Sequence, residues 1–331
     1  MARDLPERSV LAMNATEHLT RDTSVVRTES LSKRFGSRTA VDSVDLVVPR
    51  ASAFGFLGPN GAGKTTLIRM LLGLTQPTGG EMHLLGIPVP ERRREALARV
   101  GAIVEEPRFH AHLTGRENLR AHAAARGPGA RERIPAALER VGLSDRAEDR
   151  VRAYSLGMRQ RLGIARGLHA DPELLILDAP MNGLDPAGIM EFRDLIRSFV
   201  DEGRTVFLSS HLLDEVEKTC DHVAIIDRGR ILLQGSLAEV GGTAPGSAVI
   251  VSDDPSRAAY LLADVPEVAR TSIEDGELVV ALADSRNPDA ALAEINHHLV
   301  SSGLRVHRIG LNHVSLEDRF LELTSRMEVP A

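Results

Sequence analysis

The sequence predicts an α/β fold with a largely parallel central sheet, followed by a smaller α+β domain at the carboxyl-terminal end. Short apolar strands alternate with helical segments up to about residue 240, and a glycine-rich loop joins a buried strand to a helix near residue 60. Beyond a second glycine-rich stretch the element order changes to β-α-β-β-α-β, the split βαβ arrangement. The chain has 331 residues, which is enough for two ordinary domains.

The composition narrows the class of protein. Hydrophobic residues make up 43% and charged residues 26% of the chain, as in ordinary globular proteins. The formal net charge is −6, so the composition indicates no general affinity for nucleic acid, and we expect no nucleic-acid partner. Cys220 is the only cysteine, which excludes an intrachain disulfide and fits a reducing compartment.

No targeting or membrane segment is evident in the sequence. The first nine residues are too charged to begin a signal peptide. No uninterrupted apolar run approaches the roughly 18–20 residues of a membrane helix. If the protein acts at a membrane, we expect another chain to cross it.

The chain divides into an extension, a large domain and an accessory domain. The first residues are polar and without periodicity, which is typical of a flexible extension. Between Val25 and Val48, alternating segments predict a short antiparallel β-region. The predicted boundaries are residues 1–24 for the extension, 25–240 for the large domain with a helical subdomain at about 108–152, 241–246 for a linker, and 247–331 for the accessory domain.

Apolar runs and capping residues predict the individual elements. Asp185 and Pro186 begin a helix that runs to about Asp201, with an apolar stripe along one side. Ser315 is predicted to cap a final helix in the accessory domain. Buried strands are predicted at residues 53–57, 173–178, 205–209 and 223–227, and a helix at 159–169.

The glycine-rich loop fits the pattern G-x-x-x-x-G-K-[ST], which is typical of phosphate binding. Glycines let successive backbone N–H groups point at phosphate oxygens. In this pattern the lysine reaches the β- and γ-phosphates and the hydroxyl that follows can ligate Mg²⁺. A chance match is the alternative, but the strand before the loop and the helix after it argue against one. The predicted phosphate-binding residues are Gly58, Pro59, Asn60, Gly61, Ala62, Gly63, Lys64, Thr65 and Thr66.

The motifs that accompany this loop resemble, in their order, those of the ATP-binding subunits of ABC transporters. Residues 154–162 (YSLGMRQRL) resemble the signature stretch, and residues 174–178 (LLILD) resemble Walker B. Residues 182–185 (NGLD) resemble the D-loop, and His211 the switch histidine. Phe35 matches the aromatic residue that stacks on adenine. The resemblance covers about residues 25–240.

This resemblance implies a P-loop NTPase core with an antiparallel β-subdomain and a helical subdomain. The element order beyond the core predicts a C-terminal domain of ferredoxin-like, split βαβ type. That C-terminal segment and residues 105–107 are similar to the bacterial exporter branch that includes bacitracin and other antibiotic-resistance pumps. The implied cofactors are ATP and Mg²⁺. The implied partners are a separate transmembrane permease subunit and a second nucleotide-binding subunit, in a homodimer or a heterodimer. The implied location is the cytoplasmic face of the cell membrane, through the permease.

The resemblance also assigns roles to single residues. It implies that Lys64, Asp178, His211 and Glu105 serve catalysis, and that Thr65, Asp178 and Glu105 hold the metal. A carboxylate at the end of a strand suits Mg²⁺ coordination. Ser155 and Gly157 would bind the γ-phosphate of the ATP held by the opposite subunit, so one chain alone would lack a complete site.

The sequence departs from the family pattern at several positions. Leu156 and Met158 replace a glycine and a glutamine of the signature stretch, and Met181 replaces a threonine. Glu105 stands where the family has the Q-loop glutamine; a carboxylate can bind Mg²⁺ or water but cannot donate a hydrogen bond. Ala179 stands where the family has its catalytic glutamate. We therefore predict ATP binding with slow hydrolysis.

The sequence thus predicts the ATP-binding subunit of an ABC exporter that powers efflux, with a possible role in antibiotic self-resistance. One alternative is a non-catalytic ATP-binding regulatory subunit, which Ala179 favours. Another is a soluble ABC-type ATPase acting on nucleic acid or the ribosome. The single G-x-x-x-x-G-K-[ST] motif, the lack of a long heptad insertion and the acidic balance argue against this second alternative.

Overall fold

The computed structural model describes residues 24–126, 128–240, 242–283 and 287–321. The chain divides into two compact units between Leu237 and Ala238, and each unit has a hydrophobic core of its own. The predicted extension lies outside the described residues except for Ser24. That residue begins the first strand and pairs with Pro49, so the prediction of a flexible residue is wrong for Ser24.

The first unit contains two sheets and a group of helices. Its strands are β1 (Ser24–Phe35), β2 (Arg38–Pro49), β3 (Ala53–Leu57), β4 (Gly79–Leu84), β5 (Ile87–Val89), β6 (Val100–Ile103), β7 (Leu174–Asp178), β8 (Thr205–Ser210), β9 (His222–Asp227) and β10 (Arg230–Ser236). Its helices are α1 (Lys64–Leu71), α2 (Arg93–Ala96), α3 (Gly115–Ala124), α4 (Pro128–Glu132), α5 (Ile134–Arg140), α6 (Leu156–Leu168), α7 (Pro186–Asp201) and α8 (Leu213–Thr219), with 3₁₀ turns at Ser144–Arg146 and Val151–Ala153. None of the described helices is long and apolar enough to cross a membrane.

The first sheet is antiparallel, with the order β2-β1-β4-β5. Buried and exposed residues alternate along β2, because one face of the sheet packs on the core and the other faces water. Strands β1 and β2 form a hairpin around Gly36 and Ser37, so that Phe35 and Arg38 lie opposite each other. This sheet is the antiparallel β-region predicted from the sequence, and it carries Phe35 at its tip.

The second sheet has the order β10-β9-β3-β8-β7-β6. Strands β9, β3, β8, β7 and β6 are parallel, and β10 adds an antiparallel edge. All residues of β3, β7 and β8 are buried, which explains their continuous apolar character. Because parallel strands end at the same edge, this sheet brings the glycine-rich loop, Asp178 and His211 together.

The helical subdomain lies between β6 and α6. Helix α3 begins with a capping box, in which Thr114 accepts from the Glu117 N–H and the Glu117 carboxylate accepts from the Thr114 N–H. Helix α6 packs on β6 and also contacts α3 and α5. It begins at Leu156 rather than at the predicted residue 159, because Ser155 caps it by accepting a hydrogen bond from the Met158 N–H at 3.2 Å.

The second unit is a four-stranded antiparallel sheet with two main helices. Its elements are β11 (Gly242–Ser252), α10 (Pro255–Leu261), β12 (Val268–Glu274), β13 (Glu277–Leu282), α11 (Pro288–Ser301) and β14 (Val306–Val314), preceded by the short helix α9 (Leu237–Val240) at the boundary. The strand order is β12-β13-β11-β14, so the first and third strands are central. Both helices contribute to one core, which includes Ala258, Leu262, Ile295 and Leu299.

The predicted linker is wrong for residues 242–246, which belong to strand β11. Gly242 and Thr243 pair with β14, and an irregularity between Thr243 and Ala248 accommodates the turn-forming residues without ending the strand. Residue 241 lies outside the described residues. At the other end of the unit, Ser315 accepts from the Asp318 N–H at 3.1 Å, and residues 316–321 are helical, as predicted.

Candidate functional site

The loop between β3 and α1 passes so close to neighbouring backbone that it requires glycine at two positions. A Cβ at Gly58 would lie 2.2 Å from the carbonyl oxygen of Ile226, and one at Gly63 would lie 2.4 Å from that of Ala40. Gly63 also has a φ of 114°, which other residues rarely adopt. The glycines therefore fix the loop against β9 and β2 and leave its other side open.

Lys64 begins α1 and provides the cation of this loop. Its Nζ donates to the carbonyl oxygens of Gly58 at 2.6 Å and Pro59 at 3.0 Å. Burial lowers the pKa of Lys64, and the nearby carboxylate of Asp178 opposes this shift. Helix α1 has no side-chain cap at its start, so its first N–H groups, together with Lys64, suit a phosphate group.

A buried serine holds the end of β7. Asp178 and Ser209 lie opposite each other in the parallel pair β7–β8, and both are buried. The Ser209 hydroxyl donates to Asp178 Oδ1 at 2.6 Å and accepts from the Ala179 N–H at 2.9 Å. Ala179 has a φ of 48°, in the left-handed region. The Asp178 carboxylate and the backbone of Ala179 are thus positioned by one hydroxyl.

Glu105 follows β6 at the same edge of the sheet. Its carboxylate forms an ion pair with Arg69 of α1, and both side chains are largely exposed. Glu105 has a φ of 60°, so its backbone, like that of Ala179, is in the left-handed region. Its carboxylate faces the cleft described below while it is paired with Arg69.

These segments surround a cleft of about 720 Å³. Its position at the carboxyl ends of parallel strands is where ligands bind in open α/β sheets. The cleft contains Lys64 on one side and Asp178, Ala179 and His211 on another. The described residues that line it are Phe35, Arg38, Ala40, Asn60, Gly61, Gly63, Lys64, Thr65, Thr66, Glu105, Glu106, Leu156, Gln160, Asp178, Ala179, Asn182 and His211.

Phe35 forms an open aromatic platform at the rim of this cleft. Its side chain is 53% exposed, so it does not belong to the core. The Nζ of Lys33 lies 4.9 Å from the ring centroid and also donates to the carbonyl oxygen of Gln76 at 2.6 Å. Lys33 therefore supports the ring. An exposed ring at the rim of such a cleft suits stacking of a flat heterocycle.

Most predicted site residues meet in this cleft. Of the remainder, Gly58 and Pro59 hold Lys64 through their carbonyl oxygens, and Ala62 is buried behind the loop. Ser155 and Gly157 stand apart, because they lie at the start of α6 and are not among the described residues that line the cleft. Their predicted role involves a second subunit and stays a prediction, as do the other ligand assignments.

The residues of the site that were not predicted as such include Arg38, Arg69, Gln160 and Ser209. Ser209 lies two residues before His211 at the end of a strand, which is the one signal in the sequence that indicates it. Gln160 is buried on α6, and its Oε1 has no hydrogen-bond partner among the described residues. The places of Arg38 and Arg69 follow from strand register and helix packing, which the sequence alone does not give.

Comparison with known proteins agrees with this geometry. The family model described as ABC transporter matches residues 41–182. The chain is 39% identical to the bacitracin transport ATP-binding protein BcrA of Bacillus licheniformis over 301 residues, which are 91% of this chain and 97% of that protein. The chain belongs to the ABC transporter ATP-binding proteins.

Further relatives and a solved structure extend the match. The Nod factor export ATP-binding protein I of Ralstonia nicotianae is 37% identical over 309 residues, which are 92% of this chain and 95% of that protein. The structure of cbiO1 from Clostridium perfringens, part of the ABC transporter complex cbiONQ, superposes with a TM-score of 0.61 at 27% identity. It covers 66% of this chain and 90% of that one. The predicted family and its α/β P-loop ATPase fold are confirmed, and this family binds and hydrolyses ATP.

Proposed function

We propose that this protein is the ATP-binding subunit of an exporter and powers efflux through a separate membrane-spanning subunit. We further propose that it works as a dimer at the cytoplasmic face of the membrane and that its own ATP turnover is slow. The exporter assignment is supported by two relatives, a bacitracin transport ATP-binding protein and a Nod factor export ATP-binding protein. The membrane subunit, and not this chain, would select the transported substrate.

The observation that carries the proposal is the arrangement of the cleft. Its phosphate loop, half-buried lysine and strand-end aspartate stand around one space, and an exposed aromatic ring lies at the rim. Lys64 would neutralise the β- and γ-phosphates of ATP. The Asp178 carboxylate and the Thr65 hydroxyl would hold Mg²⁺, which commonly takes one or two carboxylates together with substrate phosphates. Adenine would stack on Phe35.

Slow turnover follows from the side chain at position 179. A methyl group can neither orient nor deprotonate the water that attacks the γ-phosphate. Ser209 nevertheless holds the Ala179 backbone and Asp178, so binding does not depend on the missing carboxylate. The loss of a positioned general base costs roughly 10²–10⁴-fold in rate. His211 would remain at the γ-phosphate. Glu105 would approach the metal only after leaving Arg69.

A dimer would complete the site. Ser155 and Gly157 begin α6, and the Ser155 hydroxyl and the first N–H groups of that helix could receive a phosphate. We propose that they contact the γ-phosphate of ATP bound to the other subunit. An intact partner subunit would then supply the turnover that Ala179 limits, in a heterodimer.

The experiment compares three proteins in the same assembly with the membrane subunit that co-purifies. The wild type and Ala179→Glu should bind MgATP equally, and Lys64→Ala should lose binding while remaining folded. Steady-state phosphate release should rise at least tenfold in Ala179→Glu. Calorimetry measures the binding, and a coupled phosphate assay measures the release.

Each arm has an outcome that contradicts the proposal. Full ATP affinity in folded Lys64→Ala would overturn nucleotide binding in this cleft. Equal and rapid phosphate release by the wild type and Ala179→Glu would contradict slow turnover at this site if the assembly holds two copies of this chain. In a heterodimer the same result would assign the release to the partner subunit. No release from either protein, together with firm ATP binding, would favour the non-catalytic regulatory subunit.

A further inference from the structure

The tip of the β1–β2 hairpin brings an arginine beside the aromatic platform. Phe35 and Arg38 flank the two-residue turn at Gly36 and Ser37 and are register partners across it. Directly opposite residues on a hairpin project from the same face, with Cβ atoms about 4.5–5.5 Å apart. Both residues line the cleft. A base that stacks on Phe35 therefore has the Arg38 side chain as its neighbour.

The Arg38 side chain extends from this hairpin to the phosphate loop. Its Nη2 atom lies 3.9 Å from the position that a Cβ would occupy on Gly61. Gly61 is in the middle of the loop and has a φ of 84°. The guanidinium thus lies between the aromatic platform and the loop that ends in Lys64.

Arg38 also differs from the other cationic side chains around the cleft, because those have hydrogen-bond or ion-pair partners. Lys33 and Lys64 donate to backbone carbonyls, and Arg69 is paired with Glu105. Within the part of the chain that the structure describes, the Arg38 side chain makes no hydrogen bond and no ion pair, and it is exposed in the cleft. Its five N–H donors are therefore available to an anion.

We propose that Arg38 binds the α-phosphate of the nucleotide, between the base on Phe35 and the β- and γ-phosphates at Lys64. This inference rests on the proposed nucleotide binding and adds a specificity-determining residue to it. The α-phosphate links the ribose to the β-phosphate, so it lies where the guanidinium is. A guanidinium matches two phosphate oxygens at once, which makes it selective for a phosphate ester over the uncharged nucleoside.

The test measures dissociation constants for MgATP, MgADP and adenosine by calorimetry or by competition with a fluorescent nucleotide. Arg38→Ala should weaken the binding of ATP and ADP by the same factor, roughly tenfold, because both carry the α-phosphate. It should leave adenosine unchanged. Arg38→Gln, which keeps a polar side chain, should lose as much affinity as Arg38→Ala, and Arg38→Lys should lose less.

Arg34→Ala is the matched control. It removes the same charge from the same hairpin, but Arg34 is not among the described residues that line the cleft, so all three affinities should stay at the wild-type level. Urea unfolding of each variant shows whether the fold is retained, which we expect for the Arg38 variants because the residue is exposed.

Other results would overturn the assignment. Arg38→Ala that binds ATP and ADP as tightly as Arg34→Ala does would remove Arg38 from the site. A loss for ATP without one for ADP would place the guanidinium at the γ-phosphate, and a loss for adenosine would place it at the base. Lys64→Ala shows whether the Arg38 assignment or the proposed nucleotide binding has failed. If nucleotide binding in this cleft is wrong, Lys64→Ala keeps its ATP affinity; if only the Arg38 assignment is wrong, Lys64→Ala still loses it.

Discussion

The hydroxyl of Ser209 links the two residues whose positions matter most at the end of β7. It donates to the Asp178 carboxylate and accepts from the Ala179 N–H, and it is fully buried. An alanine here would leave a buried carboxylate and a backbone N–H without this partner. Leaving such a buried group without a partner costs more free energy than the hydrogen bond contributes to stability when it is made.

We therefore predict that Ser209→Ala lowers the free energy of unfolding by about 1–3 kcal/mol. Ser209→Ala should also weaken the binding of MgATP more than that of metal-free ATP, since Asp178 loses its orientation. Ser198→Ala is the control, because the Ser198 hydroxyl donates to the Leu195 carbonyl oxygen within the same helix, α7. Urea unfolding and calorimetry measure the two effects. A Ser209→Ala protein as stable as Ser198→Ala would contradict the prediction.

Two uncharged histidines, one buried and one half-buried, lie at the interface of α3 and α6. His122 lies on α3 and His169 follows α6, with their ring centroids 5.9 Å apart. Neither nitrogen of the His169 ring, nor Nδ1 of His122, has a hydrogen-bond partner among the described residues. Burial is the main cause that lowers the pKa of each to about 4. Neighbouring positive charge lowers both further: Arg166 and Arg126 act on His122, and His122, Arg126, Arg133 and Arg166 act on His169.

This pair should make the protein less stable in mild acid. The pKa of each imidazole in the folded chain lies below its value of about 6.5 in the unfolded chain, so protons bind the unfolded chain first. Above about pH 6.5 the two histidines have no such effect on the free energy of unfolding. As the pH falls from 6.5 toward 4, they lower it progressively. For the pair we expect a loss on the order of 3 kcal/mol, allowing for solvent screening of the half-buried His122.

The measurement is urea unfolding at several pH values between 7 and 4.5, where carboxylates with lowered pKa still keep most of their charge. The double variant His122→Gln, His169→Gln should lose this part of the pH dependence, whatever its absolute stability. His112→Gln removes an exposed histidine from the same unit and should keep the wild-type slope. Parallel slopes for the wild type and the double variant would show that the pair does not titrate on unfolding.

Elements with a clear start signal or a continuous apolar run were predictable from the sequence, and elements without either signal were not. Helix α7 begins and ends as predicted, because Asp185 caps it, Pro186 fits its first turn and an apolar stripe runs along it. Strands β6 and β10 and helix α8 were missed, since they show little periodicity. The false linker at 242–246 arose because glycine and proline indicate a turn, whereas strand pairing with β14 decides the conformation.

In the site, too, the residues within sequence motifs were predictable, whereas those placed by strand pairing were not. The loop, Asp178 and His211 could be placed in one cleft, because each follows a strand of a parallel sheet. Ser209 opposes Asp178 only because β7 and β8 are neighbours in a particular register. The role of Arg38 likewise depends on its register opposite Phe35 across the hairpin. Such pairings join residues that are remote in the sequence or separated by a turn of unknown length.

At the scale of the whole molecule, the first unit contains everything that the cleft requires. The cleft's described lining residues all precede residue 212, and the core that supports them is formed by residues of the first unit. The second unit has a separate core between its sheet and helices. Nucleotide binding should therefore not depend on the second unit.

We predict that a chain ending at residue 241 folds and binds ATP with an affinity within about twofold of the full chain, a difference of less than 1 kcal/mol. A chain ending at residue 221 is the matched control. It lacks β9, the parallel neighbour of β3, and the Ile226 backbone against which Gly58 packs, so it should not fold. Circular dichroism and calorimetry test both chains. A tenfold loss of affinity in the folded longer chain would contradict the prediction.

The central place of β3 has a consequence for synthesis on the ribosome. Its partners in the sheet are β8 and β9, and Gly58 packs against Ile226, about 170 residues further along the chain. At about 5–20 residues per second, that separation corresponds to roughly 10–30 seconds of translation. The phosphate loop is thus synthesised early, but it can pack against β9 only late in translation. During this interval the apolar β3 strand has neither of its neighbours, and we expect it to be bound by chaperones on the nascent chain.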